Sequence, residues 1–403
     1  MRRSKYDICI IGAGAAGLAA AARLNTSPTD ESGSFCILEK NDMPGRKVLA
    51  TGGGRCNITN SACPGAADTL GFFSALGLEC REDEEGRFFP CTGRASDVVA
   101  VLEEAAFAKP AGDQAPELLT GFNVGTIHVT DDGFEIIGLW TGEEDAEATT
   151  IHARKVLLAC GGKAGPQYGT IGDGFRMATA LGHSVTRVYP ILTGVECLTG
   201  PGPMGHPVDN LDFEKLKGIR TAAVASLLKD GEPVCDDAGK PLREAGEVQF
   251  TEHGLSGICI FNLTPYMKTE DGEDVKEGIA RYSISLDLAP DFTAEQLKGR
   301  NSTFGIITKD LADAVDAVAE EAGCGPEILK DFRLQVTGIR GWKEAQCTAG
   351  GVDLSEINLE TMESRIVPGL YMAGEILDIQ GPCGGYNLQN AWETGIRAAE
   401  HMK

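Results

Sequence analysis

Three glycines, Gly12, Gly14 and Gly17, lie between an apolar run, Tyr6 to Ile11, and an alanine-rich stretch reaching Leu24. This G-x-G-x-x-G spacing suits the pyrophosphate of a dinucleotide. The first glycine makes a tight turn, the second lets phosphate approach the backbone, and the third lets a helix pack closely on a strand. With Ala13, Ala15 and Ala16 they would offer N–H groups at a helix N-terminus, where negative charge is favoured. Glu39 ends the next apolar run, Phe35 to Glu39, where a carboxylate can accept hydrogen bonds from ribose hydroxyls; Lys40 follows it.

More candidates stand downstream. Gly45, Arg46 and Lys47 follow the ribose-binding position, and the two cations suit phosphate oxygens. The run Gly52, Gly53, Gly54 has no side chains to obstruct a flat ring, and Asn57 can donate a hydrogen bond beside it. Gly161 and Gly162, after the run Val156 to Cys160, allow another close backbone approach. Near the C-terminus, Gly374 and Glu375 turn a strand spanning Leu370 to Ala373, Asp378 can bind hydroxyls, and Gly385 precedes a helix opening with Tyr386, Asn387 and Leu388. Such a helix would aim free N–H groups and its positive dipole end at a developing negative charge. Val124 and Ala159 complete the expected cofactor-binding set, and His253 and Arg340 are the candidates for facing substrate.

Two tempting motifs carry less. Gly200, Gly202 and Gly205 repeat the glycine spacing, but Pro201 and Pro203 lack N–H donors and Pro207 hinders the start of a helix. Cys56 and Cys63 sit where some flavoenzymes carry a redox pair, yet free cysteine is more often a small buried apolar residue.

The chain around these residues reads as a βαβ unit at the start, then a glycine-dense polar loop over Gly45 to Asn60. A helix spans Ala95 to Ala108, three strand-like runs fill Phe122 to Cys160 with a turn at Asp131 to Gly133, and a short helix covers Asp173 to Leu181. From about Val188 the texture changes to short strands (Ala222 to Leu228, Gly257 to Leu263, Tyr282 to Leu288) and one amphipathic helix with Ile307, Leu311, Val315 and Val318 on a single face. This pattern predicts an α/β, Rossmann-like nucleotide-binding domain, residues 1–188 and 343–403. Between them lies an inserted mixed-β, barrel-like substrate or cap domain, 189–342, with a small helical part at about 293–335.

The run GRKVLATGGGRCNITN from Gly45 to Asn60 closely resembles the signature of the YhiN/BaiN-like flavoprotein family. GEVQFTEHGLSG (Gly246 to Gly257), TMES (Thr361 to Ser364), GLYMAGE (Gly369 to Glu375) and GGYNLQ (Gly384 to Gln389) agree with it. The resemblance implies noncovalent FAD, a Rossmann-like FAD domain and an inserted domain covering the flavin. Activities of the family include reduction in bile-acid metabolism and oxidation of aminoacetone. Two stretches, Ser61 to Phe72 and Gly299 to Ile328, are shorter than the family pattern and leave the substrate open.

Composition narrows the function classes. With 59 acidic against 36 basic residues the formal charge is −23, a field that repels phosphate backbones and anionic lipid. The expected partner is therefore a small molecule, with neither nucleic acid nor membrane; oligomeric state is not readable. The 13 cysteines show neither a disulfide framework nor zinc spacing, which suits a reducing compartment. The basic N-terminus imitates a secretion signal, but Asp7 and the three glycines break the apolar core, so the expected location is cytoplasmic.

The expected activity is an FAD-dependent oxidoreductase that passes a hydride from NAD(P)H, a transient reductant, through flavin N5 to an unsaturated or carbonyl-bearing small molecule. An amine oxidase that reduces oxygen to peroxide, and a non-catalytic flavin-binding redox sensor, are the alternatives. The expectation includes no metal.

Overall fold

The computed structural model describes residues 4–26, 33–108, 115–141, 148–198, 211–236, 238–269 and 274–403. The second glycine motif, Gly200 to Gly205, lies outside them. The chain divides into two compact units, one formed by Met1–Tyr189 with Cys347–Lys403, the other by Pro190–Gln346.

The first unit is built on a nine-stranded sheet. Five strands run parallel in the order Glu117–Thr120, Phe35–Glu39, Lys5–Ile11, Thr149–Leu158, Leu370–Met372. Within Lys5–Ile11 and Phe35–Glu39, residues 8–11 and 35–38 are continuous buried apolar runs, as strands covered on both faces require. An antiparallel hairpin, Phe122–Thr130 with Gly133–Trp140, extends from Thr149–Leu158. The helix Ala15–Thr26 packs against both Ala95–Phe107 and the C-terminal helix Tyr386–His401. Gly395 of that last helix permits the closeness: a Cβ there would stand 2.3 Å from the Ala16 carbonyl oxygen.

In the second unit six antiparallel strands close on themselves: Arg220–Lys229, Arg243–Phe250, Gly254–Ser256, Val195–Cys197, Phe332–Ile339 and Tyr282–Asp287, the last returning to the first. Closure leaves no unpaired edge in the ring. Leu227, Phe250, Leu255, Ile284, Leu286, Phe332, Leu334 and Val336 fill its core. The helix Lys309–Ala322 buries Leu311, Val315 and Val318 in the same core.

Three local expectations need correction. Gly45 to Asn60 is not simply a loop, because Arg46–Ala50 is a helical turn continued by a 3-10 turn at Thr51–Gly53. Gly257 to Leu263 is not a strand but contains the helix Ile258–Phe261; its short apolar run carries no period that separates the two. Ile307 precedes the amphipathic helix instead of belonging to it, yet it joins the same core. Among the described residues no helix is long and apolar enough to cross a membrane.

Candidate functional site

The three glycines of the first turn have different neighbours. Gly12 has φ +106°, and a Cβ there would meet the Ala159 carbonyl oxygen at 2.5 Å; at Gly17 it would lie 1.9 Å from the Gly12 oxygen. A Cβ on Gly14 would meet nothing within 4 Å. Two glycines thus make the turn and its packing possible, while the middle one borders free space at a helix N-terminus. Backbone bonds lock the turn from several sides: Gly12 N donates to Leu38 O, Gly45 N to Ala13 O, and Ala159 N to Ile11 O.

Glu39 lies beneath this turn and is 7% exposed. Its Oε2 accepts from Ala13 N at 2.9 Å, and its Oε1 accepts from Asn41 N at 2.9 Å and Asn41 Nδ2 at 2.6 Å. A carboxylate has about four lone-pair sites, so Oε2 retains capacity for a hydroxyl donor. Asn41 also accepts from Arg46 Nη1 at 3.0 Å, which ties the guanidinium to the same corner. Nothing in its sequence position had singled Asn41 out. Lys40 forms an ion pair with Asp173.

The second segment presents backbone. Gly52, Gly53 and Gly54 all have positive φ, as does Cys56, and a Cβ on Gly53 would meet nothing within 4 Å. Asn57 is buried, and its Oδ1 has no hydrogen-bond partner among the described residues. A buried acceptor left unpaired is costly, so this atom marks a place where a ligand donor would be favourable.

The C-terminal segment lies directly on this one. Trp392 Nε1 donates to Ile58 O at 3.0 Å, Thr59 Oγ1 to Gln389 Oε1 at 2.7 Å, and Asn60 Nδ2 to Gly384 O at 3.1 Å. Gly385 caps the helix Tyr386–His401 with φ +106°, and a Cβ there would meet the Thr59 carbonyl carbon at 2.6 Å and Asn57 Oδ1 at 2.9 Å. The glycine is therefore required first by protein–protein packing. Asn387 closes the preceding loop, accepting from Gly381 N and donating to Gly381 O, both at 2.9 Å. The first turn of the helix carries no acidic side chain.

Lys47 does not stand free for phosphate. Its Nζ lies 2.6 Å from Glu375 Oε2; burial by itself would lower its pKa, but Glu375 and Cys347 outweigh it and raise it. Glu375 Oε1 accepts from Thr348 N at 2.8 Å, and Thr348 Oγ1 accepts from Lys163 N and Ala164 N. A Cβ on Gly162 would collide with this cluster, 2.4 Å from Thr348 Oγ1, whereas one on Gly161 would meet Thr170 Cγ2 at 3.2 Å. Gly374 donates its N–H to Thr394 Oγ1, and Asp378 Oδ2 accepts from Thr186 Oγ1 at 2.9 Å. Val124 is buried in its strand. Thr348, Thr394 and Thr186 were invisible to spacing arguments because each acts through a distant partner.

Cys56 and Cys63 are both free and buried. Burial pushes the Cys56 thiol up to about 12 and raises that of Cys63. Such thiols are neutral at physiological pH and poor nucleophiles.

His253 and Arg340 come together in the barrel unit. Both line a cavity of about 640 Å³ with Thr193, Lys217, Gln249, Glu252, Ser256, Phe261 and Glu344, among others. His253 Nε2 is 3.0 Å from Glu252 Oε1, and Glu252 also pairs with Lys217. Arg340 binds Glu344 through Nε at 2.5 Å and Glu196 through Nη1 at 3.2 Å. Among the described residues no cluster of three or more His, Cys, Asp or Glu side chains is arranged to hold a metal.

Comparison with known proteins accords with this architecture. Residues 65–401 match the family model of the HI0933-like protein Rossmann domain. The chain is 30% identical over 439 residues to a 3-dehydro-bile acid delta(4,6)-reductase of Clostridium scindens, covering 97% of each chain. It is 27% identical to the ribosomal RNA dihydrouridine synthase of Escherichia coli, covering 99% of this chain and 98% of the relative. Among solved structures, the Sdh1 complex of Mycobacterium smegmatis superposes with a TM-score of 0.51 at 16% identity, over 100% of this chain and 68% of that one, a likeness of fold. The chain belongs to the HI0933-like Rossmann family, the YhiN/BaiN-like flavoproteins, and is a flavin-dependent oxidoreductase.

Proposed function

We propose that the chain holds FAD in its first unit and uses NAD(P)H to reduce a carbon–carbon double bond conjugated to a carbonyl in a small ring compound. Overall the substrate double bond gains a hydride and a proton, and NAD(P)H becomes NAD(P)⁺. The observation that carries the reading is the open Gly14 turn above the buried Glu39 carboxylate. Turn and carboxylate match a pyrophosphate and an adjoining ribose. The unpaired Asn57 Oδ1 and the bare Gly53 face fit a flat heterocycle with an N–H edge. When bound, FAD supplies the hydride chemistry, and the protein's part is binding and orientation.

In this reading the N–H groups of Gly14, Ala15 and Ala16 hold the pyrophosphate and Glu39 the ribose. Lys47 acts at one remove, fixing Glu375, while Asp378 stands ready for a hydroxyl. The N-terminus of the helix Tyr386–His401 favours negative charge before it. His253 and Arg340 face the substrate. Two relatives' names describe one kind of reaction, since a delta(4,6)-unsaturated 3-ketone and the uracil ring each present a double bond conjugated to a carbonyl. The formal charge of −23 favours the small ring over a polynucleotide.

Anaerobic stopped-flow spectroscopy tests the proposal. NADH or NADPH should bleach the flavin, and a cyclic enone should restore its colour without oxygen. Bleaching only by an amine, with peroxide released on re-aeration, would replace this reading with an oxidase.

A further inference from the structure

The cavity of the barrel unit contrasts two kinds of polar side chain. Among the described residues, every charged side chain in its wall is already engaged: Lys217 and His253 with Glu252, and Arg340 with Glu344 and with Glu196 beside it. The neutral Gln249 and Ser256 are half-buried, line the same cavity, and among the described residues have no side-chain hydrogen-bond partner. They are direct cross-strand partners on Arg243–Phe250 and Gly254–Ser256, so their side chains share one face. Opposed residues of this kind have Cβ atoms about 4.5–5.5 Å apart, close enough for an amide N–H and a hydroxyl to meet one oxygen. Phe261 adds apolar surface to the wall.

We infer that this cavity is a recognition site for an uncharged ring compound, whose carbonyl oxygen accepts hydrogen bonds from Gln249 Nε2 and Ser256 Oγ. An anionic ligand would have to displace a wall carboxylate from its cation before binding; a neutral carbonyl engages only groups that are free. The cavity volume of about 640 Å³ falls in the range that encloses a drug-sized molecule. A uridine within RNA would bring phosphates toward a strongly acidic protein and would have to leave its stack. The substrate class rests on the function proposed above, whereas the choice of a neutral carbonyl rests on the wall itself.

The test titrates the FAD-loaded protein with progesterone, an uncharged tetracyclic enone, by calorimetry, and measures NAD(P)H oxidation with the same compound separately. Wild type should bind it, and Gln249→Leu and Ser256→Ala should each weaken binding about fivefold without lowering Tm, as loss of one hydrogen bond predicts. The hemisuccinate of hydroxyprogesterone should bind no more tightly. Unchanged affinity in both variants would overturn the assignment, as would tenfold tighter binding of the hemisuccinate that depends on Lys217 or Arg340, or displacement of progesterone by a uridine oligonucleotide. Turnover with unaltered affinity in the variants would leave the reductase reading standing and remove this site. Affinity lost in the variants, with no turnover by wild type, would do the reverse.

Discussion

The glycine cradle of the first unit and the barrel cavity of the second are built from opposite materials. In the cradle, backbone makes the surface and side chains are excluded: Gly12, Gly17 and Gly385 are forced by neighbouring main chain, and only Gly14 and Gly53 border open space. In the cavity, side chains from several strands and loops make the surface, and most of their polar capacity is spent on one another. A backbone-built site tolerates no added atom where it packs. A side-chain-built site tolerates exchange, and loses only what the exchanged group contributed.

The largest effect is expected from Gly17→Ala or Gly385→Val, whose new Cβ atoms would stand 1.9 Å and 2.6 Å from main-chain atoms. Each should cost about 3 kcal/mol or more, and thermal unfolding and soluble yield would report it. A stable, flavin-loaded Gly385→Val protein would show that the Thr59 contact yields easily. Glu39→Ala comes next. Besides losing a ribose acceptor it leaves Ala13 N–H without its partner, so stability should fall by about 1–3 kcal/mol and FAD should bind more weakly. Calorimetry and apo-protein titration separate the two effects.

Gly14→Ala should be gentler, with unaltered Tm but about tenfold weaker FAD binding, because its Cβ would occupy only the space a phosphate needs. Equal loss of Tm in Gly14→Ala and Gly17→Ala would erase the distinction between open and packed glycines. On the barrel side, His253→Ala should leave flavin content unchanged and stability within about 0.5 kcal/mol, since the ring is half exposed.

The smallest effect is expected at Cys56 and Cys63, where serine at both should leave flavin reduction by NAD(P)H intact. Burial raises the Cys56 pKa from 9.0 to about 12, so the folded state holds its proton more tightly than the unfolded chain. Its contribution to stability is complete below pH 9 and is lost as pH climbs toward 12. Alkylation at pH 8 should accordingly spare Cys56. Rapid labelling there, with a charge-transfer band, would restore the redox pair.

The features that can be read from the chain alone are local and periodic. The βαβ opening, the glycine spacing, Glu39 at its strand end and the helix after Gly385 were all legible, because strand, turn and helix impose their patterns on neighbouring residues. The Rossmann-type α/β class was legible too, from the βαβ pattern, and the barrel-like character of the second unit from the change to short strands after about Val188. Partnerships across the chain were not. Lys47 read as a phosphate ligand until Glu375 proved to hold it; Asn57 and Gly385 met only when the last helix folded onto Ile58 and Thr59. Gln249 and Ser256 were unremarkable until strand register set them opposite each other. Which polar atom is left without a partner depends on what packs against it, and that is decided by residues hundreds of positions away in the chain, which no local period encodes.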